Sequence, residues 1–223
     1  VFKEAARRIG LEFQIKRYPK KRAYAYLKSG KYDFYPGASF KPSREKIGYF
    51  IDNCLPITGV MLLYRDDIAI NEITDIKGYT LLYNFGGTTS FYTYSGIDTK
   101  ANVLREVPEL GIARAIKILQ EKQGDLYAYD LPAVESFLKK NNSQGIKKLP
   151  IHLQGQVDHL LFSKSSPHYA EKPNPDYDPA KELSISNLPY TLDEFSVAYK
   201  FQQALENMRD SGEIDQLRQQ YFE

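Results

Sequence analysis

Arg44 and Asp130 are the two charged residues whose positions along the chain best suit the binding of a small charged molecule. Arg44 closes a loop that starts near Ser39, directly after a short predicted strand, and the fork of an arginine side chain suits a carboxylate. Asp130 ends the predicted strand 126–129, where open α/β sheets place ligand groups, so its carboxylate suits an ammonium. Each residue also has a plainer interpretation, because most arginines lie at the surface and Asp130 equally suits the N-cap of the helix that follows.

A loop of small residues, Gly86-Gly87-Thr88-Thr89, follows a predicted strand and opens a predicted helix. Free backbone N–H groups at such a helix start, together with two hydroxyls, form a binding site for an anion or a carboxylate. The loop lacks the lysine of a Walker loop and the third glycine of the dinucleotide fingerprint. Taken alone, it is better interpreted as an N-capped turn.

No set of residues predicts catalysis, a metal or a cofactor. His152, His159 and His168 lack metal-binding spacing, and none stands in an HExxH frame. Cys54 is the only cysteine, so an intrachain disulfide and a multi-cysteine zinc site are excluded, and we interpret it as a small apolar residue. No serine has the context of a nucleophile elbow. The sequence therefore favours binding over covalent chemistry.

Composition excludes several broad classes of protein. The 223 residues carry a formal net charge of +2, so the net charge of the chain does not indicate nucleic acid or a membrane as its partner. No stretch approaches the roughly 18 apolar residues of a membrane span. The charge is uneven, because residues 1–65 contain 14 Lys/Arg against 5 Asp/Glu and residues 66–223 contain 16 against 23. The basic segment predicts an anionic ligand.

Apolar runs and turn residues divide the chain into alternating strands and helices. The predicted strands cover residues 11–15, 32–35, 59–64, 79–83, 126–129 and 159–162. The predicted helices cover residues 1–9, 21–29, 111–123, 132–140, 191–211 and 213–221. Gly10 is interpreted as the residue that ends the first helix. The alternation predicts an α/β fold with a mostly parallel sheet. Since no capping residue precedes Val1, we expect the sequence to open inside a helix, with a segment missing upstream.

Short motifs then follow one another in a fixed order over nearly the whole chain. They are LKSGKYD at 27–33, SFKPSRE at 39–45, FID at 50–52, DIKG at 75–78, GTT at 87–89, GD at 124–125, Asp130, DSGEI at 210–214 and YF at 221–222. Each is weak alone, but the ordered set resembles the family 3 extracellular solute-binding proteins, which are the polar amino-acid receptors of ABC importers.

The resemblance implies a type II periplasmic-binding-protein fold, in which each of two lobes is a central sheet flanked by helices. Lobe 1 is expected to comprise residues 1–64 and 161–223 and to lack its N-terminal strand, and lobe 2 is expected to comprise residues 65–160. The chain is expected to cross between the lobes near 62–64 and 159–162.

The resemblance also implies a set of ligand-binding residues. Arg44 falls on the family's carboxylate-binding arginine, Ser39 falls on its hydroxyl partner, and Asp130 falls on the acid that binds the α-ammonium. The remaining expected contacts are backbone groups of Gly37 and Ala38, the carboxylate seat Thr88 and Thr89, and a stacking ring from Tyr18, Tyr24, Tyr83 or Phe85. Two positions depart from the family: the spacing from Asp33 to Arg44 is one residue short, and Lys20-Lys21-Arg22 stands where relatives often carry an aromatic residue.

We therefore expect a monomeric periplasmic or extracellular receptor, either free or lipid-anchored, that binds a small carboxylated ligand such as an amino acid. By resemblance its protein partner is an ABC permease, and no cofactor, metal or nucleic acid is implied. Two alternatives on the same fold stay open: a sensor domain in signalling, and an enzyme like cyclohexadienyl dehydratase. The enzyme needs an acid or base beside Arg44, and its neighbour Glu45 is expected to face outward.

Overall fold

The computed structural model describes residues 1–52, 54–55, 59–84, 99–141, 143–152 and 159–222. Its helices are α1 (Phe2–Arg8), α2 (Lys20–Lys28), α3 (Ile112–Gln120), α4 (Leu131–Lys140), α5 (Val197–Asp210) and α6 (Glu213–Phe222). Its strands are β1 (Phe34–Ala38), β2 (Gly48–Asp52), β3 (Gly59–Arg65), β4 (Thr80–Asn84), β5 (Val103–Val107), β6 (Leu126–Asp130), β7 (Ile146–His152), β8 (His159–Ser163), β9 (Glu171–Pro173) and β10 (Tyr190–Leu192). No helix among the described residues is long and apolar enough to cross a membrane.

The chain divides into two compact units. The first comprises Val1–Pro56 and Val157–Tyr221, and the second comprises Ile57–Gln156 with the last two residues. The sequence predicts these divisions at residues 64/65 and 160/161. The observed divisions lie earlier, so that β3 belongs to the second unit, where its backbone pairs with β6 and β7.

The first unit has a three-stranded sheet in the order β1-β8-β2. Alternate residues of β8 enter two separate cores, as the two-residue period of a strand requires. Leu160 and Phe162 pack in the larger core with the buried face of α5. Leu161 packs on the other face with Leu27 of α2. The central strand thereby fixes both α2 and α5 on the sheet.

The second unit has a five-stranded sheet in the order β5-β4-β6-β3-β7. Its interior strand β3 also alternates, because Met61 and Leu63 enter one core with α3 and α4, and Leu62 and Tyr64 enter another. Apolar side chains on both faces explain why the sequence of β3 is an unbroken apolar run rather than an alternating one.

The expectation of a mostly parallel sheet is wrong for the described strand pairs. The pairs of β4 with β5 and with β6 are parallel, whereas β3 pairs antiparallel with both β6 and β7, and β8 pairs antiparallel with both β1 and β2. The physical reason is that one strand, β8 in the three-stranded sheet and β3 in the five-stranded sheet, lies between two strands of the opposite direction. Strands β4, β5, β6 and β7 do run in the same direction, as the alternation of helices and strands predicts. Because β3 runs in the opposite direction between β6 and β7, both of its strand pairs are antiparallel.

Several predicted elements differ from the observed ones. Residues 11–15 form no strand, and Phe13 stacks on Phe34 with a ring-centroid distance of 5.8 Å. The helix predicted at 191–211 begins only at Val197, since residues 190–192 form β10. The sequence patterns do not predict β2, β5, β7, β9 or β10. Gly10 does end the first helix, with φ at 75° and the hydrogen bonds of a Schellman motif from Gly10 and Leu11.

Candidate ligand-binding site

The loop between β1 and β2 places Arg44 in the first unit. Pro42 begins a single 3-10 turn, Pro42–Arg44, and the backbone N–H of Ile47 donates to the carbonyl of Arg44 at 2.9 Å. Upstream, Gly37 has φ at 76°, which favours glycine, and the side chain of Ala38 is buried. The two ends of the loop are thus anchored by strand pairing, and the turn fixes the backbone of Arg44.

The guanidinium of Arg44 is held by two neighbours. Its Nη1 donates to the carbonyl oxygen of Ser39 at 2.7 Å and to the Ser39 hydroxyl at 3.2 Å. The guanidinium carbon lies 5.0 Å from the ring centroid of Tyr24, which is a cation–π distance. Arg44 is half-buried, and among the residues that the structure describes no carboxylate forms an ion pair with it. Ser39 and Arg44 are therefore in direct contact, and their binding of a ligand carboxylate stays a prediction.

Tyr24 lies on α2, which the core positions. Leu27, one turn later, is 1% exposed and packs with Ala38 and Phe50. The Tyr24 ring packs against the same cluster and lies 5.1 Å from the ring of Tyr35. The aromatic surface beside Arg44 is thus fixed by the packing of a whole helix on the sheet.

Glu45 does not face outward, and that expectation is wrong. It is half-buried and accepts a hydrogen bond from Lys164, which also forms an ion pair with Glu171 at 3.1 Å. Burial lowers the pKa of Lys164, but the hydrogen bonds to Glu45 and Glu171 outweigh it and leave this pKa above its ordinary value. The Lys164 backbone N–H also donates to the carbonyl of Ile47 at 3.1 Å. This ion pair therefore fastens the Arg44 loop to the residue that follows β8.

The motif at 27–33 has a structural role. Gly30 has φ at 70°, and a Cβ there would lie 2.2 Å from the carbonyl oxygen of Ser165. Asp33 accepts a hydrogen bond at 2.7 Å from the hydroxyl of Ser166, which is 5% exposed. The turn after α2 therefore needs a glycine and a carboxylate in order to pack against residues 163–166.

The motif at 124–125 is likewise structural, in the second unit. A Cβ at Gly124 would lie 2.6 Å from the Leu82 side chain. Asp125 accepts a hydrogen bond at 2.7 Å from the Thr80 backbone and forms an ion pair at 2.8 Å with Arg65. These contacts connect the start of β6 to β3 and β4.

Tyr18 lies in a cluster of three tyrosines. Its ring lies 5.1 Å from that of Tyr26 and 5.7 Å from that of Tyr32, and its hydroxyl accepts a hydrogen bond from Tyr32 at 2.9 Å. This hydrogen bond, helped by burial, raises the pKa of Tyr32 to about 12. The ring that contacts Arg44 is Tyr24, one of the alternatives named from the sequence, so a stacking role for Tyr18 stays a prediction.

In the second unit, Asp130 caps α4. Its Oδ1 accepts a hydrogen bond at 3.0 Å from the backbone N–H of Ala133, and its side chain is exposed. The plainer of the two sequence interpretations is thus observed, and binding of an ammonium stays a prediction. Thr88 and Thr89 lie outside the described residues.

Cys54 is part of the core of the first unit. It is 6% exposed, and burial, with the nearby Asp52, raises its pKa to about 11. The thiol is therefore protonated at neutral pH, which confirms the interpretation of Cys54 as a small apolar residue. Within the described ranges no three His, Cys, Asp or Glu side chains are grouped to hold a metal ion.

One curated relative is the L-cystine-binding protein TcyA of Bacillus subtilis (strain 168). It is 25% identical to this chain over 174 residues, which are 78% of this chain and 63% of that protein. This chain therefore spans less than two thirds of the length of the relative.

Solved structures share the fold. An ancestral arginine-binding protein bound to glutamine superposes with a TM-score of 0.70 at 18% identity, over 99% of this chain and 84% of that one. The amino acid ABC transporter substrate-binding protein AbpA from Streptococcus pneumoniae, bound to L-arginine, superposes with a TM-score of 0.67 at 18% identity, over 99% and 81%. At these identities the likeness shows the type II periplasmic-binding-protein fold alone.

The sequence model of one protein family matches residues 1–223, which is the whole chain. Its description is "bacterial extracellular solute-binding proteins, family 3". The motif order, the two α/β units and the relatives agree with this match. The chain belongs to the family 3 bacterial extracellular solute-binding proteins.

Proposed function

We propose that this chain is an extracytoplasmic receptor for an amino acid, which it delivers to an ABC permease. Arg44 and Ser39 bind the carboxylate of the ligand. Asp130 binds its α-ammonium, and Thr88 and Thr89 add the second carboxylate seat, as the family resemblance implies. The ligand-bound form is the one that the permease recognises.

The observation that carries the proposal is the state of the Arg44 guanidinium. It is half-buried and held against Ser39 and Tyr24, and no described carboxylate neutralises it. The guanidinium has five N–H donors, and both of its hydrogen bonds to described residues come from Nη1. A ligand carboxylate matches the remaining edge of the fork and supplies the missing negative charge.

The relatives support an amino acid as the ligand. By its name, the B. subtilis relative binds L-cystine, and the two solved structures hold glutamine and L-arginine respectively. The S. pneumoniae protein is, by its name, the substrate-binding protein of an amino-acid ABC transporter. A zwitterion fits the predicted residues, because it needs an arginine at one end and an acid at the other.

A ligand screen tests the proposal. The purified chain is melted in the presence of each of the twenty amino acids and of small carboxylates, and every hit is titrated calorimetrically. A ligand at 100 times its Kd stabilises the folded state by about 2.7 kcal/mol, which is a readily measured shift in Tm. We expect at least one amino acid to raise the Tm. If neither an amino acid nor a small carboxylate does so, the proposal fails.

We propose further that the chain binds its ligand without turning it over. The carboxylate next to Arg44 is that of Glu45, and its ion pair with Lys164 keeps it from serving as a free acid or base in this arrangement. Incubation with prephenate and with arogenate is expected to give no product. Product formation by the purified chain, lost in Arg44→Ala, would establish the enzyme alternative.

A further inference from the structure

A cavity of about 350 Å³ lies between β5 and α3, within the second unit. The described residues that line it all fall between positions 105 and 123, so none of those predicted to bind the amino acid is among them. Binding sites for small molecules in proteins have volumes of roughly 300–1,000 Å³. This cavity is therefore large enough for a small ligand of its own.

Arg105 lines the cavity from β5. Side chains alternate along a strand, so Arg105 shares a face with Val107, which is buried in the core with α3, and the intervening Glu106 side chain lies on the opposite face. The Nη1 atom of Arg105 donates to the backbone carbonyl of Gln123, and its Nη2 donates to the side-chain oxygen of Gln123 at 3.4 Å. The half-buried guanidinium is thus held in place by neutral oxygens.

Arg114 lines the cavity from α3. Its Nη1 donates at 2.6 Å to the backbone carbonyl of Pro108, the residue that follows β5. Lys117 lies three positions later on the same face of the helix and lines the cavity as well. A second guanidinium, which is again fixed by a carbonyl group, therefore lies at the same cavity as that of Arg105.

Neither guanidinium is neutralised by a carboxylate of the described residues. Five other arginines do form ion pairs with Asp or Glu, namely Arg7, Arg8, Arg65, Arg209 and Arg218. The ammonium of Lys117 lies 3.8 Å from a carboxylate oxygen of Glu121, so these two charges offset each other. The cavity therefore keeps two positive charges, and each arginine keeps donors that its hydrogen bonds to described residues do not use.

We propose that this cavity is a second binding site, which takes a small molecule that carries a phosphate group. A carboxylate has two oxygens and is matched by one guanidinium fork. A phosphate monoester has three terminal oxygens and a charge of about −1.5 to −2 at pH 7, so it matches two forks and two positive charges. The buried side chains of Val107 and Ile118 give the cavity an apolar wall for the organic part of the ligand. The site is independent of the amino-acid site at Arg44.

Calorimetric titration with two phosphate monoesters, glycerol 3-phosphate and phenyl phosphate, tests the proposal at an ionic strength of about 0.15 M, which screens exposed charges. At least one monoester should bind the wild-type chain saturably, and about tenfold or more weakly in Arg105→Gln/Arg114→Gln, because charged hydrogen bonds are lost. The control Lys140→Gln/Lys147→Gln removes two positive charges from exposed positions of the same unit and should keep the wild-type Kd.

A second pair of titrations separates this site from the amino-acid site. Arg44→Ala should keep the Kd for the monoester, and Arg105→Gln/Arg114→Gln should keep the Kd for the best amino acid. If neither monoester binds the wild-type chain, if the double variant or the charge control shows that Arg105 and Arg114 have no special effect, or if Arg44→Ala abolishes the binding, the proposal is overturned and the receptor proposal stands.

Folding of the variants is checked by circular dichroism. If the spectrum of the double variant differs from that of the wild type, Arg114→Gln alone replaces it, since Arg114 is exposed and bonds only the Pro108 carbonyl among the described residues. This single variant should weaken monoester binding about threefold or more. An unchanged Kd in Arg114→Gln would overturn the proposal as well.

Discussion

The Nη1 atom of Arg44 donates to both the carbonyl oxygen and the hydroxyl of Ser39, five positions earlier in the chain, at 2.7 and 3.2 Å. One nitrogen of the guanidinium thus closes the loop, while the opposite edge keeps its donors for a ligand. Ser39 therefore positions Arg44 through two atoms, of which a substitution can remove only the hydroxyl.

Ser39→Ala should weaken ligand binding without abolishing it. The 2.7 Å contact of Nη1 with the Ser39 carbonyl remains and only its longer contact with the hydroxyl, at 3.2 Å, is lost, so the expected loss is about 0.5–1.5 kcal/mol or roughly twofold to twelvefold in Kd. Calorimetric titration of the best ligand measures it. Ser43→Ala, an exposed position in the same loop, serves as the control and should leave Kd unchanged. An unchanged Kd in Ser39→Ala would remove Ser39 from the site.

Asp130 has an observed capping role and a proposed binding role, and two substitutions separate them. Asp130→Asn keeps an oxygen that accepts from Ala133 but removes the charge, so stability should be retained while amino-acid affinity falls about tenfold or more. Asp130→Ala should lose both affinity and about 1 kcal/mol of stability. Chemical denaturation and calorimetry give the two values. Full affinity in Asp130→Asn would leave Asp130 as a cap alone.

Gly30→Ala should destabilise the first unit strongly. The new Cβ would lie 2.2 Å from the Ser165 carbonyl oxygen in a backbone with φ at 70°, so clash and strain add. We expect a loss above about 2 kcal/mol in urea unfolding. Gly10 has a similar backbone conformation, with φ at 75°, but a Cβ there would have nothing within 4 Å. Gly10→Ala should therefore cost only about 1 kcal/mol of stability. Equal losses at the two positions would contradict the close approach to Ser165.

The ion pairs of Lys164 should give a defined pH dependence of stability. Its pKa is raised in the folded state, so its contribution is complete below the ordinary lysine pKa of 10.5 and is lost as the pH rises through the higher folded value. The groups that face it are Glu45, Glu171 and, at 5.3 Å from ammonium to ring centroid, Tyr190.

Lys164→Met should therefore cost about 1–3 kcal/mol at neutral pH, a value between those of exposed and buried pairs. Urea unfolding of both proteins from pH 7 to pH 11 measures the difference, which should be constant up to about pH 10 and shrink above it. A difference that already falls between pH 7 and pH 9 would show that these ion pairs are not the source of the stability.

The interior strands β3 and β8 were the most predictable part of the fold. The apolar runs at 59–64 and 159–162 predicted β3 and β8 to within a residue, because both faces of each strand are buried. Strands β5 and β7 carry mixed and charged sequences, VLREV and IKKLPIH, and owe their conformation to ladder pairing with β4 and β3. The local sequence does not indicate which strands will pair in this way.

The candidate site was predictable in part. The spacing of Ser39 and Arg44, interpreted through the family resemblance, indicated two residues that the structure places in hydrogen-bond contact, while their role in binding stays a prediction. The contact of Tyr24 with Arg44 was not singled out, because it depends on how α2 packs against the sheet. The three-residue spacing of Tyr24 and the buried Leu27 was the available signal, since it places both on one helix face. The partner of Glu45 lies 119 residues away, and no local pattern indicated it.

Arg44 as the carboxylate-binding residue is the central claim, and one calorimetric comparison tests it most directly. The best amino-acid ligand and the amine that lacks its carboxylate are each titrated into the wild-type chain and into Arg44→Ala. The wild type should prefer the amino acid by roughly 2–5 kcal/mol, and this preference should largely disappear in Arg44→Ala, with an unchanged circular dichroism spectrum. If Arg44→Ala binds the amino acid as tightly as the wild type does, or keeps the same preference over the amine, Arg44 does not bind the carboxylate.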